Sequence, residues 1–441
     1  MPKTCTESPN IISSEPCQER AALLQQLLAP QSYSDNFFSR LKNNIAYVTN
    51  NGVFPVLQPY LSKEDYLNIL NFILVNQANL SPIMANISIW RPLRLSKDEF
   101  PLQRTIHIIQ NITGEYMLIV DTKLKLADGT KDPKLLIGKG SIGVVKPCWR
   151  IDMLPPQPWV NKVTYGRYIP VAEFESMFSL SLIVEANDPF NVMTPYVSLS
   201  YLSAPFCKKS PAGSDMQKIS QFSQRAHCDL SFLLKNPEYL TLIDRINIAH
   251  QILLGIKLIH SQKKVHQDIN PSNILISRFN NQYNAKLSDF NNAGILSINE
   301  TSLSCATPLY ESPEISLGHE SIQSSHHKYF HDNTTIISYG RAVNTANPNR
   351  NPYSLDAELY RTTPHPSNDI WAAGITLYLL LHSSYPWYKD PQTELILATD
   401  PLLFGMLAPQ RSQRLTIDEA LDLFNYLYSS SPSPSPCTCS L

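Results

Sequence analysis

Apolar residues recur at helical spacing from Glu19 to about Leu80, first in Ala22, Leu23, Leu24 and Leu27 and again in Tyr66, Leu67, Ile69, Leu70, Phe72, Ile73 and Leu74. This periodicity predicts a helical N-terminal domain over about 19–100, after a polar and disordered stretch at 1–18. The period then changes. RTIHIIQNITGEYMLIVDTKLKL carries β-branched runs on either side of Gly114, which predicts a hairpin leading into a second domain over 101–428. Within that domain YLSAPFCKKSPAGSDMQ reads as a surface loop between two strand-like pieces, and LIDRINIAHQILLGIKLIHS as an amphipathic helix. The stretch 316–365, rich in His, Asn, Ser and Tyr, reads as an insertion, and SSSPSPSPCTCSL as an extended, disordered tail over 429–441.

Composition narrows the class. Hydrophobic residues make up 43% of the 441 and aromatics 10%, enough to build packed cores in two domains. With 36 basic and 37 acidic residues the formal charge is -1, so charge gives no support to a nucleic-acid partner. The eight cysteines form no CxxC pair or Cys/His array, and reduced thiols are expected. No basic stretch followed by an apolar run opens the sequence, and no apolar segment approaches the roughly 18 residues of a membrane span. A protein of the cytoplasm is the expectation from these absences.

Glycine is scarce, 14 in all, yet Gly138, Gly140 and Gly143 fall together in IGKGSIGVV. Glycines at that spacing let main-chain N–H groups approach phosphates, with Lys139 and Ser141 in the loop and Val145 placed to pack on an adenine ring. A dinucleotide-binding turn has the same glycines but needs a helix at once, whereas GVVKPCW reads as a second strand. A plain glycine hairpin remains the alternative at this point. Asp268, Asn273 and Asp289, in VHQDINPSNILI and NAKLSDFNNAG, are the second cluster. A carboxylate to orient an attacking hydroxyl and two oxygen ligands for magnesium are what phosphoryl transfer needs, although Asp and Asn are also common turn formers.

Together with the segments downstream of them, these stretches resemble the eukaryotic-type protein kinase family, its H-R-D-x-K-x-x-N catalytic loop and its D-F-G turn. The resemblance places Asp268 as catalytic base and Asn273 and Asp289 as metal ligands. CATPLYESPE resembles the family's substrate-docking segment, with Thr307 against the catalytic aspartate and Ser312-Pro313-Glu314 in place of A-P-E. SNDIWAAG carries Asp369, Trp371 and Gly374 of the D-x-W-x-x-G helix, and Arg414 stands where the family pairs an arginine with the glutamate at 314. Small-molecule kinases share the catalytic loop but lack that docking segment and arginine. Lys162 stands where the family keeps the lysine that grips the ATP phosphates. Counting back from Asp188-Pro189 for its acidic partner lands on Ser179, so Glu175, one turn earlier on a slightly longer helix, is the expected partner, with Glu173 next. The same counting puts Phe222 at the gatekeeper position and Asp229 at the ribose.

Three positions depart from the family. Gln267 replaces the arginine of the catalytic loop, Asn270 the lysine two residues after the base, and Asn291 the glycine of D-F-G. Asn270 leaves a site for a cation neutral, and Asn291 is expected to take over glycine's positive φ. The resemblance, over about 130–425, implies an α+β, bilobal protein-kinase-like fold: a small antiparallel sheet lobe and a large helical lobe. It further implies ATP and Mg2+ as cofactors and a Ser/Thr-directed protein kinase acting on a protein substrate. The rival readings are an ATP-binding pseudokinase or scaffold, and another transferase on the same fold, such as an adenylylating enzyme or a small-molecule kinase. The N-terminal helices are expected either to bind a regulatory partner or to pack on the small lobe. In style the chain resembles bacterial effector kinases, which are secreted into the host cytoplasm.

Overall fold

The computed structural model describes residues 33–51, 61–89, 92–95, 104–121, 136–139, 143–186, 196–203, 206–209, 215–296, 307–312, 364–386, 391–408 and 410–428. The chain divides into two compact units, 1–169 with 201–223 and 170–200 with 224–441. The first unit holds an antiparallel sheet and the second is mainly helical, an α+β composition.

The first helices among the described residues of the first unit are α1 (Tyr33–Asn51), α2 (Lys63–Val75) and α3 (Gln77–Met84). Ser62 starts α2 by accepting the Asp65 main-chain N–H at 3.0 Å, with Glu64 and Asp65 in the positive first turn. Strands β1 (Leu93–Leu95), β2 (Ile106–Gln110) and β3 (Tyr116–Asp121) come next. The expected hairpin is the β2–β3 pair, with Gln110 opposite Tyr116. Asn111 Oδ1 shapes its turn by accepting the N–H of Thr113 and of Glu115, and Gly114 supplies a φ of 87°.

The sheet continues through β4 (Gly138–Lys139), β5 (Gly143–Arg150), β6 (Gln157–Tyr165), β7 (Tyr201–Leu202), β8 (Phe206–Lys209) and β9 (Asp215–Gln224), in the order β1-β2-β3-β5-β6-β9-β7. The loop expected across 201–217 is therefore corrected. Its Phe206–Lys209 stretch pairs antiparallel with Asp215–Lys218, so two extended pieces of the expected loop are each other's partner. At the other end β3 joins β5 through Ile119–Asp121 and Cys148–Arg150.

Among the described residues an apolar cluster joins helices and strands of this unit. Phe37, Phe38 and Leu41 of α1, Tyr66, Ile69 and Leu70 of α2, and Ile106, Ile108 and Leu118 of the hairpin lie in it together, so the helices between 33 and 84 bury their apolar faces against the strands. A buried ionic node binds the same parts. Asp152, with no exposure, accepts the Leu118 N–H at 2.9 Å, Arg150 Nε and Nη2 at 3.1 and 3.0 Å, and Arg40 Nη2 at 3.0 Å.

In the second unit α4 (Ile169–Glu185), α5 (Leu230–Lys235) and α6 (Leu242–Ser261) are joined by the helices α7 (Pro366–His382), α8 (Pro391–Thr399), α9 (Pro401–Met406) and α10 (Ile417–Tyr428). A capping box fixes the start of α6: Thr241 Oγ1 accepts the Asp244 N–H, and Asp244 Oδ2 accepts the Thr241 N–H. Every residue of α7 from Ser367 to Leu380 is buried, as a helix through the middle of a core must be. Two small sheets also lie in this unit: three strands in the order β10 (Cys228–Asp229), β12 (Ile274–Phe279), β13 (Gln282–Leu287), and the pair β11 (Lys264–Val265) with β14 (Gly294–Ile295). Among the described residues no helix is long and apolar enough to cross a membrane.

Asp152→Ala leaves Arg150 and Arg40 to share the more exposed Glu115 as counter-charge, and it strips the Leu118 N–H of its acceptor. The expected cost is about 3–5 kcal/mol. Urea unfolding of the full chain checks this. A loss under about 1 kcal/mol would show that the node does not hold the helices to the sheet.

Candidate active site

The loop between β11 and β12 is bent by a buried acid. Asp369 of α7, 1% exposed, accepts the main-chain N–H groups of His266 and Gln267, each at 2.8 Å, and His260 Nε2 at 2.9 Å. Gln267 takes a φ of 64°, and its side chain donates to the Asn292 carbonyl at 2.9 Å. His266 Nδ1 accepts the Asp268 N–H at 3.3 Å, which leaves Nε2 to donate to the Ser288 carbonyl at 3.0 Å. Phe290 lies between the His266 ring at 5.0 Å and the Phe178 ring at 5.2 Å.

Asp268 emerges from this frame ringed by neutral donors. Its Oδ1 accepts the Thr307 N–H at 2.9 Å, the Thr307 hydroxyl at 2.8 Å and Asn270 Nδ2 at 3.1 Å, and its Oδ2 accepts Asn273 Nδ2 at 3.0 Å. Asn270, 4% exposed, also reaches the Thr307 hydroxyl at 3.1 Å, while its own Oδ1 accepts the Ser272 N–H at 3.0 Å. Because Oδ2 carries one donor and Oδ1 three, Oδ2 keeps acceptor capacity for a further hydroxyl.

Asp289 lies beside Asn273, since Ser288 bonds the Asn273 carbonyl through its N–H at 2.9 Å and its hydroxyl at 3.0 Å. The positive φ of the turn falls on Asp289, at 63°, and not on Asn291. The expectation that Asn291 takes over glycine's conformation is corrected: it sits in a 3-10 turn and donates its amide to Asp289 Oδ1. Among the described residues no group of three or more His, Cys, Asp and Glu side chains surrounds a cation position. The donors at hand are hard oxygens, the Asp289 carboxylate and the Asn273 amide oxygen, whose nitrogen is already committed to Asp268. Such a pair fits Mg2+, which takes few protein ligands when phosphates supply others.

The remaining candidates are spread over both units. Lys162 of β6 stands opposite Val145 of β5 in the sheet register, and Gly138 and Lys139 pair with Val145 and Val144. Gly143 is required by close approach, because a Cβ there would lie 2.3 Å from the Val163 carbonyl oxygen. Gly140 and Ser141 lie outside the described residues. Glu175 is buried on α4, and burial lifts the neighbouring Glu173 carboxyl above its ordinary range. Phe222 is fully buried against His107, with ring centroids 4.7 Å apart. Asp229 caps α5, accepting the Phe232 N–H at 2.9 Å and the Ser231 hydroxyl at 2.6 Å. Arg414 donates to the Ser367 and Ala408 carbonyls and lies over Trp371, while the partner expected at 314 and the stretch 316–363 lie outside the described residues. Asp369 was readable as a motif residue. Its hold on the loop at His266 and Gln267 was not.

The protein kinase domain family matches residues 221–354. The chain is 26% identical over 198 residues to SNF1-activating kinase 1 of Saccharomyces cerevisiae, covering 41% of this chain and 15% of that one. It is 30% identical over 163 residues to the serine/threonine-protein kinase TOS3 of the same organism, covering 36% of this chain and 23% of that one. The chain carries a divergent eukaryotic-type protein kinase domain. It spans less than a quarter of the length of each of these two relatives.

Asp369→Asn keeps the shape but replaces one acceptor oxygen with a donor, so one of the His266 and Gln267 N–H groups loses its partner. The expected loss is about 3 kcal/mol in urea unfolding. A change below about 1 kcal/mol would show that the loop holds its bend without the carboxylate.

Proposed function

We propose that this kinase domain transfers the γ-phosphoryl group of ATP to a Ser or Thr hydroxyl of a protein substrate. The observation that carries the reading is the ring of donors around Asp268, with Asn273 shared between that carboxylate and the neighbourhood of Asp289. In this reading Asp268 Oδ2 accepts the substrate hydroxyl and orients its oxygen, taking its proton as the bond to phosphorus forms and the bond to the ADP oxygen breaks. Thr307 and Asn270 hold Oδ1, so the carboxylate cannot turn away. Mg2+, when bound, neutralises charge on the phosphates. Asp289 and the Asn273 amide oxygen would hold it, and by the family resemblance Lys162, Gly138 and Gly143 are the proposed phosphate-binding residues. Transfer to Ser or Thr rests on the TPLYESPE segment and on the name of TOS3, a serine/threonine-protein kinase.

Asp268→Ala is expected to keep ATP binding while losing roughly 100-fold or more in rate, and Asp289→Ala to lose magnesium-dependent ATP binding as well. Label followed from γ-labelled and from α-labelled ATP reads the outcome. Transfer from the α position would indicate adenylylation, and magnesium-dependent ATP binding with no transfer from either position would indicate a pseudokinase.

Asn270→Lys tests the missing cation. A lysine there supplies charge near the transferred group and a donor for Asp268, but it cannot accept the Ser272 N–H. Turnover is expected to rise with little change in ATP affinity, at a stability loss of about 1 kcal/mol. A lower rate would show that the neutral amide is needed to keep Asp268 and Thr307 in register.

A further inference from the structure

Asn291 stands two residues after Asp289 and donates its amide nitrogen to Asp289 Oδ1, while its own Oδ1 is buried and makes no hydrogen bond among the described residues. An amide can face a carboxylate attractively only through nitrogen, so this orientation is dictated by Asp289, at the expense of a buried acceptor left without a donor. The backbone gives no other reason for asparagine here, since the left-handed residue of the turn is Asp289 itself. One carboxylate oxygen is thus tied down by a group that glycine does not possess.

A carboxylate held in this way presents its two oxygens unequally to a cation, because Oδ1 already carries the Asn291 donor and has one lone pair fewer to give. Mg2+ suits that arrangement, because it demands near-octahedral geometry at about 2.0–2.1 Å and takes carboxylates singly. The larger Ca2+ accepts looser geometry and is readily clasped by both oxygens. We propose that Asn291 is a positioning residue for the cation subsite, fixing Asp289 for one-point coordination and favouring Mg2+ over Ca2+. The proposal rests on the reading of Asp289 as a cation ligand. Partners that hydrogen-bond a ligating carboxylate commonly contribute tenfold or more in metal affinity.

The test is thermal stabilisation of the full-length protein by a non-hydrolysable ATP analogue, titrated separately with MgCl2 and CaCl2, which reads binding without turnover. Two variants are compared with the unaltered chain. Asn291→Gly removes the amide altogether, and Asn291→Leu keeps the branching of the side chain without a donor. Both are expected to raise the half-saturating Mg2+ concentration about tenfold while leaving that for Ca2+ unchanged or lower, so that the preference for Mg2+ falls about tenfold. A structural role alone would move both cations together, and that result overturns the proposal, as does an unchanged Mg2+ midpoint in both variants. Asp289→Ala separates the two levels. If the Mg2+-dependent shift is absent from the unaltered chain or survives Asp289→Ala, the cation reading fails and this proposal with it. If the shift requires Asp289 but ignores Asn291, this proposal alone fails.

Discussion

The carboxylate of Asp369 lies inside the packed length of α7 and accepts the N–H groups of two consecutive residues, His266 and Gln267. Consecutive N–H groups converge on one anion when the chain between them turns left-handed, and Gln267 does so at a φ of 64°. The bend sends His266 inward, where its ring meets Phe290 and its Nε2 meets the Ser288 carbonyl, and carries Asp268 to the far side of the loop. The strand that brings Asp289 and the loop that bears Asp268 are thereby tied to one helix. Gln267 closes the arrangement by holding the Asn292 carbonyl, at the start of the segment that leads to Thr307.

How much of this was legible depends on where the constraint comes from. The spacing of Asp268, Asn273 and Asp289 is imposed by the chemistry they resemble, and the structure brings these residues to one place through the Ser288–Asn273 bonds. The hairpin at Gly114 was legible because turn chemistry is local. The node at Asp152 was not. Its partners Arg40 and Asp152 are 112 positions apart, and no periodicity in either neighbourhood signals the other. Strand Phe206–Lys209 was hidden for a related reason: its lysines and the nearby Pro/Gly cluster look like loop, and only pairing with β9 makes it a strand.

The position of the left-handed residue in the Asp289 turn escapes sequence reasoning because asparagine is the usual substitute for glycine where φ is positive. The competing demand is electrostatic. An amide two residues after a carboxylate is well placed to donate to it, and that bond decides the conformation of the Asn291 side chain. At Asn270 and Gln267 the amide stands instead where the family carries a cation, and each makes a specific bond there.

Asp268 is oriented by uncharged donors: a hydroxyl, a main-chain N–H and two carboxamides. Dissolved ions screen attractions between charges over a Debye length of about 8 Å at physiological ionic strength, but they act weakly on dipoles in contact. An aspartate oriented by arginine or lysine loses part of its orienting force as ionic strength rises. One oriented by amides keeps it. The orientation of the Asp268 carboxylate is therefore set by short-range direction rather than by a paired cation, and it is expected to change little between environments of very different salinity.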